Sequence, residues 1–440
     1  MPPVSHVISY SAGDGIGLSD SERRWFRPGT MRTADVVRLG VVPIALLAVL
    51  TAFSGQIQVN HGYGYDGADY VEMVNDGLTA GTPSTRLRPV VVLIATAVDR
   101  LVFNDPIASF RAINFLFTGL LGLLVADLCR RYGASRATAA VLVVNLGLCI
   151  ATAKMFAFYP TLVDLGAYLF MMAGAWAIVS NRRLLIVVAC VVAVLSREFA
   201  AVLVLFGLLR DLRLRRRVVV SVATYAPVVA AIVVGRWLAA QYVTADETAG
   251  MLATRTLAAS LLGNLTWWRD PQYAAFWLYF ACTLFGGVTL ALVTSLRTWL
   301  VCLRREPEWL GIVVPIAAVT AVGYTDMWRY LAFVLPAIPV LWVWCVSPLP
   351  PARARRLFVA VTAATLVTQR PWQAMDVPSY FRDWFPYFLV VEERATAPAT
   401  LWPLWSYRMA VALLLAVTIV WLARHARPAG LGPEPEPTAP

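Results

Sequence analysis

Val36-Val37-Arg38-Leu39-Gly40-Val41-Val42-Pro43-Ile44-Ala45-Leu46-Leu47-Ala48-Val49-Leu50-Thr51-Ala52-Phe53-Ser54 carries a single charge, Arg38, near its start. A helix needs roughly 20 predominantly apolar residues to cross the hydrocarbon core of a bilayer, and this run supplies them. The stretch therefore reads as a first transmembrane span. Before it, residues 1–35 are polar and hold Arg23, Arg24, Arg27 and Arg32. That segment is too long and too polar for a cleaved signal, so the span reads as an uncleaved anchor.

Similar runs recur along the chain. They fall at about 107–128, 137–153, 161–179, 218–238, 273–296, 309–323, 331–346, 357–368 and 405–423, with two short halves at 184–195 and 199–209. Of 440 residues, 59% are hydrophobic and only 14% are charged, and the mean hydropathy is +0.66. A soluble globule of this length does not have that composition, and barrel-type alternation is absent. The sequence predicts an all-α polytopic membrane protein with 11–12 spans. A polar cytoplasmic tail (1–35) precedes a transmembrane domain (36–423) whose first outer loop is 55–105. A Pro-rich cytoplasmic tail (424–440) follows, with the composition of a disordered segment.

The net charge of +11 is almost all arginine, Lys154 being the only lysine. Its placement is that of a topology signal and gives no case for nucleic acid. With the N-terminus in the cytoplasm and spans alternating, the inner segments hold 23 basic and 10 acidic residues and the outer ones 14 and 16. The bias favours that orientation in the cell membrane. Its consequence is that Asp66, Asp69, Arg86, Lys154, Arg197, Glu198, Asp326 and Arg329 all fall on the extracytoplasmic side.

Those groups are the candidates for chemistry. In Tyr65-Asp66-Gly67-Ala68-Asp69-Tyr70 the two carboxylates are spaced i, i+3 and share a face if 67–77 is helical. Such a pair suits general-base work, one group taking a proton while its neighbour tunes it or holds a cation. Alternatively Asp66 caps that helix and Gly77 ends it. Arg86 and Arg88 lead into an amphipathic stretch, 89–103, that reads as a helix lying at the interface, because Asp99 and Arg100 are costly in lipid. They can fork onto a lipid phosphate or serve ordinary headgroup contact. Arg197 and Glu198 interrupt two apolar halves, which marks a water-filled cavity whether they pair with each other or with neighbours. Asp164, near the outer end of a span, faces the same cavity or caps that span. Arg329 either pairs with Asp326 three residues earlier or meets a phosphate, with Tyr330 beside it and Lys154 able to help. The aromatics Trp372, Tyr380, Phe381, Trp384, Phe385, Tyr387, Trp402 and Trp405 read chiefly as an interfacial belt.

The six cysteines show no paired spacing, and no Walker loop, dinucleotide turn or metal-ligand His/Cys set is present. ATP-driven transport and redox chemistry have no residues to carry them.

With Tyr65-Asp66-Gly67-Ala68-Asp69-Tyr70 in the first outer loop, Arg86-Leu87-Arg88-Pro89 ahead of an interfacial helix, Ser196-Arg197-Glu198 between short spans and Arg329-Tyr330-Leu331 with Pro336 in a late one, the chain resembles the GT-C superfamily of integral membrane glycosyltransferases. It looks most like the bacterial and actinobacterial multi-spanning members that use polyprenyl-phosphate sugars. The likeness runs over about 36–423 as architecture. It implies transfer of a sugar from a polyprenyl-phosphate donor to an envelope glycan or lipid acceptor. Asp66 would be the general base, with Asp69 second, and Tyr65 would belong to the substrate site. Arg86, Arg88, Arg197 and Arg329 would hold the lipid-linked phosphate. Some members use a divalent cation, for which this sequence shows no dedicated site. The spacing here is Asp-x-x-Asp, where some members have adjacent acids. Two other readings remain: a flippase for lipid-linked sugars, which predicts paired broken spans in inverted repeats, and a non-catalytic envelope-assembly protein, which predicts that Asp66 and Arg197 tolerate alanine.

Overall fold

The computed structural model describes residues 31–57, 59–241, 281–322 and 327–369, and these form helices, turns and short connections with no strand. Helix α1 (Thr33–Phe53) is the first apolar run. The first loop folds into α2 (Tyr65–Asp76), a helical turn at Pro83–Arg86 and α3 (Pro89–Val98), which runs on as a wide turn over Asp99–Phe103. Then follow α4 (Pro106–Arg131) and α5 (Arg136–Leu148). The segment Ile150–Phe158 continues α5 after a 63° bend. Next come α6 (Asp164–Ser180), α7 (Arg183–Ser196), α8 (Val202–Arg213) and α9 (Val218–Gln241). The later described helices are α10 (Gly287–Thr294), α11 (Leu296–Arg305), α12 (Leu310–Val322), α13 (Met327–Leu331), α14 (Ile338–Val346) and α15 (Pro351–Gln369).

Among the described residues, four helices are long and apolar enough to cross a membrane, or five if the bent pair counts as one span. Three more apolar helices, Asp164–Ser180, Arg183–Ser196 and Pro307–Ala321, are shorter. The segment predicted to span at 405–423, the first eight residues (273–280) of the one at 273–296 and the aromatics of 372–405 lie outside the described residues. Surface composition agrees with a bilayer as the surrounding solvent. Val37, Val41, Val49 and Phe53 of α1 are exposed, as are Val218, Val219, Val222, Val229 and Val233 of α9. Exposed apolar stripes of this extent are unstable in water and ordinary in lipid.

Small residues let α1 and α4 approach closely. A Cβ on Gly119 would come within 2.5 Å of Ile44, and one on Gly122 within 2.9 Å of Pro43. α1 and α4 thus meet backbone to backbone, as spans do where lipid supplies no hydrophobic drive between helices. The bend after α5 is held by side chains: Gln369 Oε1 accepts from the Ile150 amide at 2.9 Å, and its Nε2 donates to the Thr283 carbonyl at 2.8 Å. Broken helices survive at membrane depth only where freed backbone groups are satisfied in this way.

Charged groups gather at the two ends of the bundle. At one end Arg136 meets Asp35 at 2.9 Å, Arg183 meets Asp211 at 3.0 Å and Arg210 meets Glu308 at 3.1 Å. Trp176 Nε1 donates to Asp127 at 2.7 Å at the same end. These ties join the starts of α1 and α5, the ends of α4 and α6, and the end of α8 to the starts of α7 and α12. The opposite helix ends carry a second group of charges.

Asp99 turns into the protein. It is buried, and Ser109 Oγ donates to it at 3.0 Å, while Leu101, Val102 and Phe103 are the exposed residues of that turn. A short carboxylate next to the first turn of α4 finds a donor there more cheaply than it finds water.

Candidate functional site

Helix α2 begins after Gly64, which adopts φ 76° and has no side chain with which to cap, and it ends at Gly77, φ 102°. Asp66 therefore leaves the capping role open and extends its carboxylate away from its own helix. Arg329 Nη1 donates to Asp66 Oδ2 at 3.2 Å. The same guanidinium donates through Nε and Nη2 to Asp164 Oδ2, at 3.0 and 2.8 Å. Asp164 is the first residue of α6 and is fully buried, whereas the Asp66 side chain is 42% exposed. Arg329 thus bridges an accessible carboxylate and an inaccessible one.

The second layer comes from the break between α7 and α8. Arg197 Nη1 lies 3.6 Å from Asp164 Oδ1, and neither side chain is reached by solvent to any extent. Arg197 Nε and Nη1 and Asp164 Oδ1 are buried without a hydrogen-bond partner among the described residues. The guanidinium also stands over the Phe199 ring at 5.9 Å. Glu198 turns the other way and meets Arg88 Nη2 at 3.7 Å. The adjacent pair Arg197-Glu198 is therefore not an ion pair with itself; each takes a partner from a distant segment, because successive residues across a helix break point to different sides.

Arg88 also donates through Nη1 to the Tyr70 hydroxyl at 3.0 Å. Burial pushes the Tyr70 phenol above its ordinary value, with Arg88 pulling the other way, so it is un-ionised at neutral pH. Burial works against charge on Arg88, but Tyr70 and Glu198 together hold its guanidinium above its ordinary value. Tyr70 lies one helical turn beyond Asp66, which puts both on the face that meets this cluster.

The structure thus brings together Asp66, Arg88, Asp164, Arg197, Glu198 and Arg329 from five separate stretches of chain. Tyr330 packs on Phe199 with ring centroids 4.7 Å apart and the rings tilted by 53°. Other candidates lie elsewhere. Asp69 does not join Asp66 as a working pair; its carboxylate accepts from Thr82 Oγ1 at 2.9 Å and ties α2 to the following loop. Arg86 donates through Nε to the Ala80 carbonyl at 3.3 Å in that loop. Lys154 is buried in the bent segment after α5. Tyr65 is the first residue of α2, and Asp326 lies outside the described residues. The sequence reading gives no role to Tyr70, Tyr159 or Tyr168, yet all three contact the cluster's scaffold. Tyr168 donates to the Arg329 carbonyl at 3.2 Å, and Tyr159 accepts from the Gly67 amide at 2.8 Å.

No set of three His, Cys, Asp or Glu side chains that could hold a metal ion occurs among the described residues. Asp66 and Asp164 are both turned to Arg329, so a divalent cation using the pair would have to displace a guanidinium first. Chemically the cluster offers an accessible carboxylate and three buried or half-buried guanidiniums, balanced by three acids. Neither a protein family, nor a curated protein, nor a solved structure matches the chain.

Proposed function

We propose that this chain is an integral membrane glycosyltransferase of GT-C type, with the cluster around Arg329 as its active site on the extracytoplasmic side and the full bundle making 11–12 spans. The donor is a polyprenyl-phosphate sugar and the acceptor a hydroxyl of an envelope glycan or lipid. The acceptor hydroxyl gives its proton to Asp66 as its oxygen bonds to the anomeric carbon. The bond from that carbon to the phosphate oxygen breaks, and polyprenyl phosphate leaves with the electron pair. Arg88, Arg197 and Arg329 offset the leaving charge, which preorganised donors do at little reorganisation cost. A phosphate that takes a guanidinium N–H of Arg329 competes with Asp66 for it, so donor binding would free the base.

The observation that carries this reading is the bridge from Arg329 to the exposed Asp66 and the buried Asp164. Arg197 supports it: its Nε has no hydrogen-bond partner among the described residues and its Nη1 has only the long 3.6 Å ion pair with Asp164, and loosely held buried guanidinium donors suit an anionic oxygen. The test is transfer from a polyprenyl-phosphate sugar by purified protein in proteoliposomes, comparing wild type with Asp66→Asn. Activity that depends on Asp66 supports the reading; full activity of Asp66→Asn removes Asp66 from the role, and an inactive wild type removes the reading.

One observation favours the flippase reading. The bent pair Arg136–Leu148 and Ile150–Phe158 is a second broken element beside the break between α7 and α8, and secondary transporters use paired broken spans. Movement of a fluorescent lipid-linked sugar across the vesicle membrane, with no covalent transfer to an acceptor, would select it.

A further inference from the structure

Helix α2 presents the proposed base, and its N-terminus is built without a cap of its own. The first amides of a helix have no partner within it. Gly64, at the capping position, cannot supply an oxygen from a side chain. The Gly67 amide is instead taken by the Tyr159 hydroxyl at 2.8 Å, from 92 residues away. Tyr159 follows the bent segment after α5 and is buried.

The fit around that bond is tight. A Cβ on Gly64 would come within 2.3 Å of the Tyr159 ring, and one on Gly67 within 2.0 Å of Thr161 Oγ1 and 2.8 Å of the ring. Thr161 Oγ1 donates to the Tyr63 carbonyl at 2.6 Å. Asn60 Nδ2 donates to the Gly64 carbonyl at 2.9 Å. Asp66 therefore sits between two glycines packed close to one aromatic ring, with the backbone on both sides hydrogen-bonded to the segment that carries Tyr159 and Thr161. The segment continues directly into Asp164, the other acid that Arg329 holds.

We infer that Tyr159 is the positioning residue for Asp66: its hydroxyl stands in for the missing cap and fixes the register of the carboxylate against Arg329. The inference rests on the transferase reading and deepens it. Tyr159 acts through Asp66, so its loss moves turnover and leaves donor binding by the arginines in place.

The test is Tyr159→Phe in the full chain, which keeps the ring and removes the hydroxyl. With a polyprenyl-phosphate sugar in proteoliposomes, kcat is expected to fall about tenfold or more while KM for the donor stays within about twofold, since small misplacements of a reacting group carry losses of that order. In an Asp66→Asn background the same change is expected to cost nothing further. Hydrogen exchange of the peptide covering residues 64–70 should quicken in Tyr159→Phe, a readout independent of activity. A kcat within about twofold of wild type, or an equal loss in the Asp66→Asn background, overturns the inference, because both would mean that Tyr159 does not act through Asp66. Unchanged exchange overturns it as well. A wild-type chain that transfers no sugar overturns the transferase reading and this inference with it, whereas an active wild type with an unaffected Tyr159→Phe overturns this inference alone.

Discussion

Arg329 reaches Asp66 with one nitrogen at 3.2 Å and Asp164 with two others at 3.0 and 2.8 Å, so a single side chain ties residues 263 and 165 positions away in sequence. Asp164 is wholly buried, and a buried carboxylate that loses its partner is strongly destabilising.

Arg329→Ala leaves Asp164 with only the looser Arg197 contact at 3.6 Å. The expected cost is about 3–5 kcal/mol, the range for breaking one side of a buried ion pair. Arg329→Lys keeps the charge but cannot donate in three directions from a planar fork, so it should recover only part of that. Thermal unfolding in detergent measures both. If Arg329→Ala unfolds at the wild-type temperature, the bridge is not holding the bundle together.

Asp66 and Asp69 should behave differently despite their helical spacing. Asp69 is tied to Thr82 in the loop and, among the described residues, has no guanidinium partner of the kind Asp66 has. Asp69→Asn keeps an acceptor for the Thr82 hydroxyl and is expected to retain transfer within about threefold of wild type. Asp66→Asn is expected to lose it by about a hundredfold or more, within the span for removing a general base. Rates measured side by side in proteoliposomes decide the matter; equal losses would restore the two acids to a joint role.

Tyr70 supplies a pH-dependent term. Burial raises its phenol above the ordinary value. A group whose folded value lies above its unfolded value of about 10 contributes stability that is complete below that pH and fades as pH climbs through the folded value. Tyr70→Phe also removes the acceptor for Arg88, at a cost of about 1 kcal/mol or somewhat more. The stability gap between wild type and Tyr70→Phe should be constant from pH 6 to about 9 and should narrow as pH rises beyond about 10. Urea unfolding in mild detergent across that range tests the sign.

How much of this was legible beforehand follows from what each signal depends on. Span position was readable because hydrocarbon imposes length and apolarity locally: the predicted 36–54 is Thr33–Phe53 and the predicted 107–128 is Pro106–Arg131. Gly77 ends α2 as its residue type foretells. The convergence of Asp66, Arg88, Asp164, Arg197, Glu198 and Arg329 was readable as a class, because isolated charges near lipid seek one another. Their pairing was not. Arg197 neighbours Glu198 in sequence but turns to Asp164, and only the break between α7 and α8 decides which way each side chain leaves the backbone. The partner of Asp99 is illegible for a similar reason, since its donor, Ser109, belongs to the next helix. Tyr159 escaped notice because a neutral hydroxyl in a turn carries no pattern; its value comes from a glycine 92 residues away.

The late half of the bundle can be tested without reference to chemistry. A Cβ on Gly287, in the first turn of α10, would stand 2.1 Å from the Val361 carbonyl oxygen and 2.7 Å from its Cα, both backbone atoms of α15. Backbone cannot swing aside as a side-chain end can, so the two helices must separate. The Gly287 amide would then lose the Thr365 hydroxyl that accepts from it at 2.9 Å. Gly287→Ala is therefore expected to destabilise by about 2 kcal/mol or more, at the upper side of overpacking costs. Gly235→Ala is the control. It lies inside α9, where a new Cβ would meet only the end of the Leu195 side chain at 3.1 Å. There the helix preference of alanine, up to about 1 kcal/mol, is free to show. Thermal melts of the two variants should move in opposite directions, and a Gly287→Ala variant that melts with or above wild type would mean that α10 and α15 are not in backbone contact.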